Sequence, residues 1–122
     1  MASVGGSTIT KEAVVKYLML VCAEPTQTDE PRVTAGAIEA WLEQVGTARL
    51  YGNPLVDPSE GWTVRLRGGK PLVTDGPFAE TKEVIAGLDI IECASDEEAL
   101  EIAKAHPVAT FGSIEVRRFD ES

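Results

Sequence analysis

The strongest constraint on the fold is the run Lys16 to Ala23, Lys-Tyr-Leu-Met-Leu-Val-Cys-Ala. It is almost wholly apolar and shows no polar–apolar alternation, which suits a strand covered on both faces. A strand of this kind needs apolar cover on both of its faces. Glu24 to Glu30 is polar and reads as a loop. Pro31 fits the first turn of a helix, where its missing N–H costs little. Ile38, Trp41, Leu42 and Val45 then recur at helical spacing with Glu39 and Glu43 on the other side, and Gly46 is suited to end the helix.

Thr47 to Gly52 reads as a second strand, followed by a loop over Asn53 to Gly61 with two prolines. Trp62, Val64 and Leu66 alternate with Thr63, Arg65 and Arg67, the pattern of a half-buried strand. Gly68-Gly69 supplies the positive φ angles of a tight hairpin, and Lys70 to Thr74 returns as its partner. Asp75-Gly76-Pro77 breaks that strand, and Phe78 to Glu83 is a polar loop or one helical turn. Val84 to Cys93 is another largely apolar strand. Ser95-Asp96-Glu97-Glu98 forms a capping box before a helix whose inner face is Ala99, Ile102 and Ala103. His106 falls in its last turn, Pro107 ends it, and Phe111 to Phe119 is the final strand.

The order is therefore β, α, β, β-hairpin, β, α, β. Without the hairpin this is the split βαβ pattern of an α+β, ferredoxin-like fold, with two helices on one face of an antiparallel sheet. A first strand that is apolar on both faces implies a cover for the other side of the sheet. A second copy of the same sheet is the simplest one, which predicts a symmetric homodimer; the alternative is cover by the hairpin and a terminal segment. Residues 1–13 read as a flexible N-terminal segment and 14–122 as a single domain.

At 122 residues the chain is long enough to bury a core without staples. Its net charge of −9 argues against nucleic acid, which needs a basic patch, and against an anionic membrane surface. No stretch is long enough for a membrane helix, and Lys16 interrupts the one segment that resembles a signal peptide, so a cytoplasmic location is expected. Two cysteines in apolar runs, Cys22 and Cys93, with a single histidine do not suggest a disulfide scaffold or a metal site. Neither a metal nor a cofactor is expected.

The most individual segment is Asp75-Gly76-Pro77-Phe78-Ala79-Glu80-Thr81-Lys82-Glu83. Asp75 stands where a strand stops, so its carboxylate projects from a strand end. Glu80, Glu83 and Lys82 follow closely, and carboxylates beside an ammonium can tune one acid as a general base. The competing reading is that Asp75 caps its own turn and the remaining charges are solvated. His106 is the only side chain expected to titrate near neutrality unaided; in the last turn of a helix it can equally serve the helix dipole. Arg65, Arg67, Arg117 and Arg118 read as an anion patch or as the wet face of a sheet. The candidate catalytic residues are Asp75 and His106, and the candidate substrate-binding residues are Gly76, Pro77, Phe78, Glu80 and Lys82.

Val73 to Glu83 resembles the signature of the DGPF-domain proteins, a branch of the YCII-related superfamily. The opening Lys16-Tyr17-Leu18-Met19-Leu20, the hairpin before the motif, Gly87-Leu88 after it and the ending from His106-Pro107 to Arg117 are similar to that family in the same order. The resemblance implies a dimeric α/β barrel built from ferredoxin-like halves, in a bacterial cytoplasmic protein, with a link to extracytoplasmic-function sigma factors. It also implies a His–Asp pair in catalysis, with dechlorination of an aromatic substrate in one related member. Asp75 matches the motif. The histidine does not carry over, because the helix over Val33 to Val45 contains none and His106 belongs to another segment. Two functions are expected from this: a small-molecule site with cofactor-free lyase or hydrolase chemistry using Asp75, or a non-catalytic ligand-binding or regulatory module linked to a sigma factor.

Overall fold

The computed structural model describes residues 14–25, 32–77 and 82–121. The N-terminal segment 1–13, Pro31, Phe78 and Glu80 lie outside the described residues. The elements are β1 (Val15–Ala23), α1 (Ala37–Val45), β2 (Arg49–Pro54), β3 (Trp62–Arg67), β4 (Lys70–Asp75), β5 (Val84–Cys93), α2 (Asp96–Lys104) and β6 (Ser113–Arg118). Four strands form an antiparallel sheet in the order β2-β5-β1-β6, and β3 and β4 form a separate two-stranded hairpin. This is the ferredoxin-like order, with the hairpin inserted between its second and third strands.

The all-apolar first run takes the centre of the sheet, between β5 and β6. Within it Tyr17, Met19, Val21 and Ala23 are buried toward the helices, while Leu18, Leu20 and Cys22 on the opposite face are half-buried. β5 repeats this division, with Asp89, Ile91 and Cys93 inward and Leu88, Ile90 and Glu92 outward. Met19 and Ile91 are wholly enclosed, and Tyr17, Trp41, Val45, Cys93, Ala99 and Ala103 complete the core. The outer face of the sheet carries Leu18 opposite Ile90 and Leu20 opposite Leu88, a half-buried apolar strip that no helix covers among the described residues.

Several boundaries differ from the sequence reading. α1 begins at Ala37 rather than at Pro31, because Gly36 takes a left-handed conformation (φ +82°) that a helix interior does not tolerate. Gly46 ends it as expected, with φ +58° and its N–H donating to the Leu42 carbonyl. A 3-10 turn over Gly46–Ala48 delays β2 to Arg49. α2 stops at Lys104, so His106 is not in its last turn: it lies beyond it, in extended backbone, at the head of a 3-10 turn over Pro107–Thr110. The cap forms, with a shifted return contact: Ser95 Oγ accepts from the Glu98 N–H, and Glu98 Oε1 accepts from the N–H of Ala94 rather than that of Ser95. The hairpin turns at Gly68 and Gly69, both at positive φ.

The hairpin also departs from the expected half-buried pattern. Trp62, Val64 and Leu66 are exposed, Trp62 at 72%, as is all of β4, while Thr63 and Arg65 are partly covered. Among the described residues no element lies over the apolar side. At the other end of the core, the Tyr17 hydroxyl donates to Asp96 Oδ1 at 2.5 Å and so ties β1 to the start of α2. Burial, followed by the Asp96 carboxylate, pushes its pKa up to about 12.

Met19→Ala removes an enclosed side chain and is expected to cost about 2–5 kcal/mol. Ser95→Ala loses a helix cap and should cost about 1 kcal/mol. Denaturant unfolding of the two single variants checks both values.

Candidate functional site

β5 brings a carboxylate into the core. Asp89 lies on the inward face of that strand, opposite Met19, and is 6% exposed. A buried charge needs a partner, and Arg49 at the start of β2 supplies it: Nε donates to Asp89 Oδ1 at 2.6 Å. The contact uses one guanidinium nitrogen and one carboxylate oxygen, which leaves the terminal nitrogens of Arg49 and Oδ2 of Asp89 for other partners. Gly52 is the register partner of Asp89 on β2. A Cβ there would overlap both the Asp89 carboxylate and the Arg49 guanidinium. The glycine is what lets the ion pair lie flat across the strand.

His106 enters from the other side and is 5% exposed. Its Nδ1 accepts the Val108 N–H at 3.0 Å, the first free donor of the turn that Pro107 opens. Its ring meets the Trp41 ring at a centroid distance of 4.5 Å, tilted by 60°. Trp41 is held in turn by its indole N–H, which donates to the Ile102 carbonyl at 3.0 Å. Burial pushes the His106 pKa below its ordinary value, and the nearby Asp89 carboxylate only partly opposes this.

These groups line one cavity of about 560 Å³ between α1 and the sheet. Ile38, Trp41 and Leu42 of α1, with Val21 and Val108, form apolar walls; Arg49, Asp89, His106 and Asn53 are its polar points. An apolar cavity with a few convergent polar groups is the form that small-molecule sites take. A smaller cavity of about 360 Å³ between α1 and α2 is lined by surface side chains such as Gln44, Glu101 and Lys104, and it gathers no buried charge.

Of the residues singled out in the sequence, His106 lines the main cavity and Asp75 does not. Asp75 is exposed at the end of β4, opposite Trp62. Gly76 behind it is buried at φ +81°; its N–H donates to the Gly61 carbonyl and its carbonyl accepts from Thr63 Oγ1, each at 2.8 Å. Pro77 and Lys82 are exposed, and the Glu83 carboxylate accepts from Ser113 Oγ at the start of β6. The carboxylate near His106 is thus Asp89. Sequence reasoning passed over Asp89, Arg49 and Gly52; the available signals were a charge at an inward position of an otherwise apolar strand and a glycine within a short one. Among the described residues no group of three or more His, Cys, Asp or Glu side chains is placed to hold a metal ion, and no helix is long and apolar enough to cross a membrane.

Because the folded protein favours neutral His106, the unfolded chain binds its proton first, near pH 6.5. The contribution to stability is therefore complete above about pH 6.5 and is lost as pH falls toward the lower folded-state pKa. Wild type is expected to lose more stability between about pH 7 and pH 5 than His106→Gln does, as read from unfolding midpoints across that range.

A protein of Rhizobium meliloti (strain 1021), described only as uncharacterized, is 46% identical over 67 residues, covering 52% of this chain and 52% of its own length. The chain thus spans about half the length of the curated relative it matches. The family model for the YCII-related domain matches residues 15–121, nearly everything from the first residue of β1 to the end of the described chain, and the chain belongs to that family.

Proposed function

We propose that this domain binds a small organic molecule in the cavity between α1 and the sheet, and that any chemistry it performs there runs on Asp89 and His106 rather than on Asp75. The observation that carries this reading is the convergence of a buried carboxylate, paired with the half-buried Arg49, and a buried imidazole on one apolar-walled cavity. Buried charge is costly, and a fold keeps it most readily where it serves a site. Cofactor-free lyase or hydrolase chemistry needs one group to take a proton and another to hold a developing oxygen charge. Asp89 Oδ2 can do the first, and the N–H groups of Arg49 and His106 the second. Asp75 is exposed at the end of the hairpin and has no such surroundings among the described residues.

A fragment screen followed by protein NMR is the direct test. Ligands of this site are expected to shift signals of Trp41, Leu42 and Val108, and Ile38→Trp, which fills the cavity without touching the ion pair, should abolish binding. Fragments that bind equally well to that variant count against the reading.

We further propose a cytoplasmic homodimer. Two apolar surfaces support it: the outer sheet strip Leu18, Leu20, Leu88 and Ile90, and the hairpin stripe Trp62, Val64 and Leu66. A two-stranded hairpin with its apolar side in water is a weak unit, and cover from a second copy would stabilise it. Light scattering should give twice the chain mass, and Val64→Lys with Leu66→Lys should lower it to the monomer value.

A further inference from the structure

His106 is held in a way that fixes which of its nitrogens carries the proton. The residue caps the 3-10 turn Pro107–Thr110 with φ −68° and ψ 131°, and its Nδ1 accepts the Val108 N–H at 3.0 Å. A ring nitrogen that accepts a hydrogen bond holds no proton, so the neutral ring must carry its proton on Nε2. Protonating Nδ1 as well would set two N–H groups against each other. It would also place a charge in a site 5% exposed, beside the Trp41 ring. The groups facing the imidazole are Trp41 of α1 and Asp89 of β5, and the Asp89 charge is already met by Arg49 of β2. Among the described residues no hydrogen bond engages Nε2.

We infer that His106 serves this cavity as a neutral Nε2–H hydrogen-bond donor, not as a base, and that the ligand offers it an acceptor oxygen of a carbonyl or a delocalised oxyanion such as an enolate or phenolate. The inference rests on the cavity being the ligand site. The walls narrow the class. Asp89 already balances Arg49, so the cavity carries no net positive charge to hold a compact, fully charged carboxylate or phosphate among apolar side chains. An oxygen whose charge is absent or spread over a flat apolar body loses less on leaving water. Such a body fits against Ile38, Trp41 and Leu42. A buried imidazole kept neutral by a backbone N–H on one nitrogen, so that the other can polarise an oxygen, is a known catalytic arrangement.

The tautomer is measured directly by nitrogen-15 NMR of the intact chain, where a single histidine removes any ambiguity of assignment. The Nε2–H form is expected at neutral pH, persisting well below pH ~6.5. An Nδ1–H tautomer, or a ring that titrates at or above that value, overturns the inference. The ligand class is tested with 4-nitrophenolate and 4-nitrotoluene, alike in size and differing in the oxygen, by calorimetry at a mildly alkaline pH where the phenol is ionised. The phenolate is expected to bind about tenfold tighter, the scale of one hydrogen bond to a charged partner. His106→Phe should erase that preference, and His106→Gln, which keeps an N–H donor, should retain much of it. Equal binding of the two probes overturns the donor role and leaves the cavity as the site; binding of neither overturns both.

Discussion

The register between β1 and β5 is the constraint from which the rest of the molecule follows. Met19 stands opposite Asp89 and Tyr17 opposite Ile91, so the inward residues of both strands share one face. A slip of one position would turn Asp89 outward and bring Leu88 and Ile90 in. The ion pair with Arg49 would be lost at the same stroke, because β2 is registered on β5 and delivers Gly52 beside Asp89. Core and candidate site are therefore specified together. The apolar pattern selects the register, and the single charge within that pattern makes the wrong register costly.

Much of this architecture can be read from the residues. The unbroken apolar run of β1, the Gly68-Gly69 turn and the Ser95–Glu98 cap each act over short distances through a rule of local conformation, and each is present in the structure. The site was far less legible. Arg49 and Asp89 are 40 residues apart in sequence and meet only because two strands pair. The space for their contact comes from what Gly52 lacks, and a missing side chain gives no periodic signal. His106 was visible as the only imidazole, but its placement was misread by two residues: the helix ends at Lys104, and the ring serves the following turn. The DGPF motif drew attention to Asp75, which the hairpin holds at an exposed strand end.

The hairpin shows how a sequence pattern can be right about conformation and incomplete about surroundings. Alternation in β3 correctly implies a strand with one apolar face. It says nothing of which molecule covers that face, and within one chain Trp62, Val64 and Leu66 meet water. The outer strip of the sheet poses the same question. An apolar surface that is uncovered in a lone chain describes an association as much as a fold.

Trp41 has a consequence for how the molecule comes apart. Its indole N–H is fastened to the carbonyl of Ile102 in α2, and its ring lies against His106 beyond that helix, while its backbone belongs to α1. One side chain thus joins both helices to the residue that lines the cavity. The cavity wall cannot open by a movement of α1 alone without breaking that joint. Fluctuations that lift the helical layer from the sheet would dissolve the site while the strand pairing persists. The lifetime of a bound molecule is then bounded by the opening of the helix pair, and occupancy of the cavity would be felt as slower hydrogen exchange in α2, an element whose own backbone need never touch the ligand.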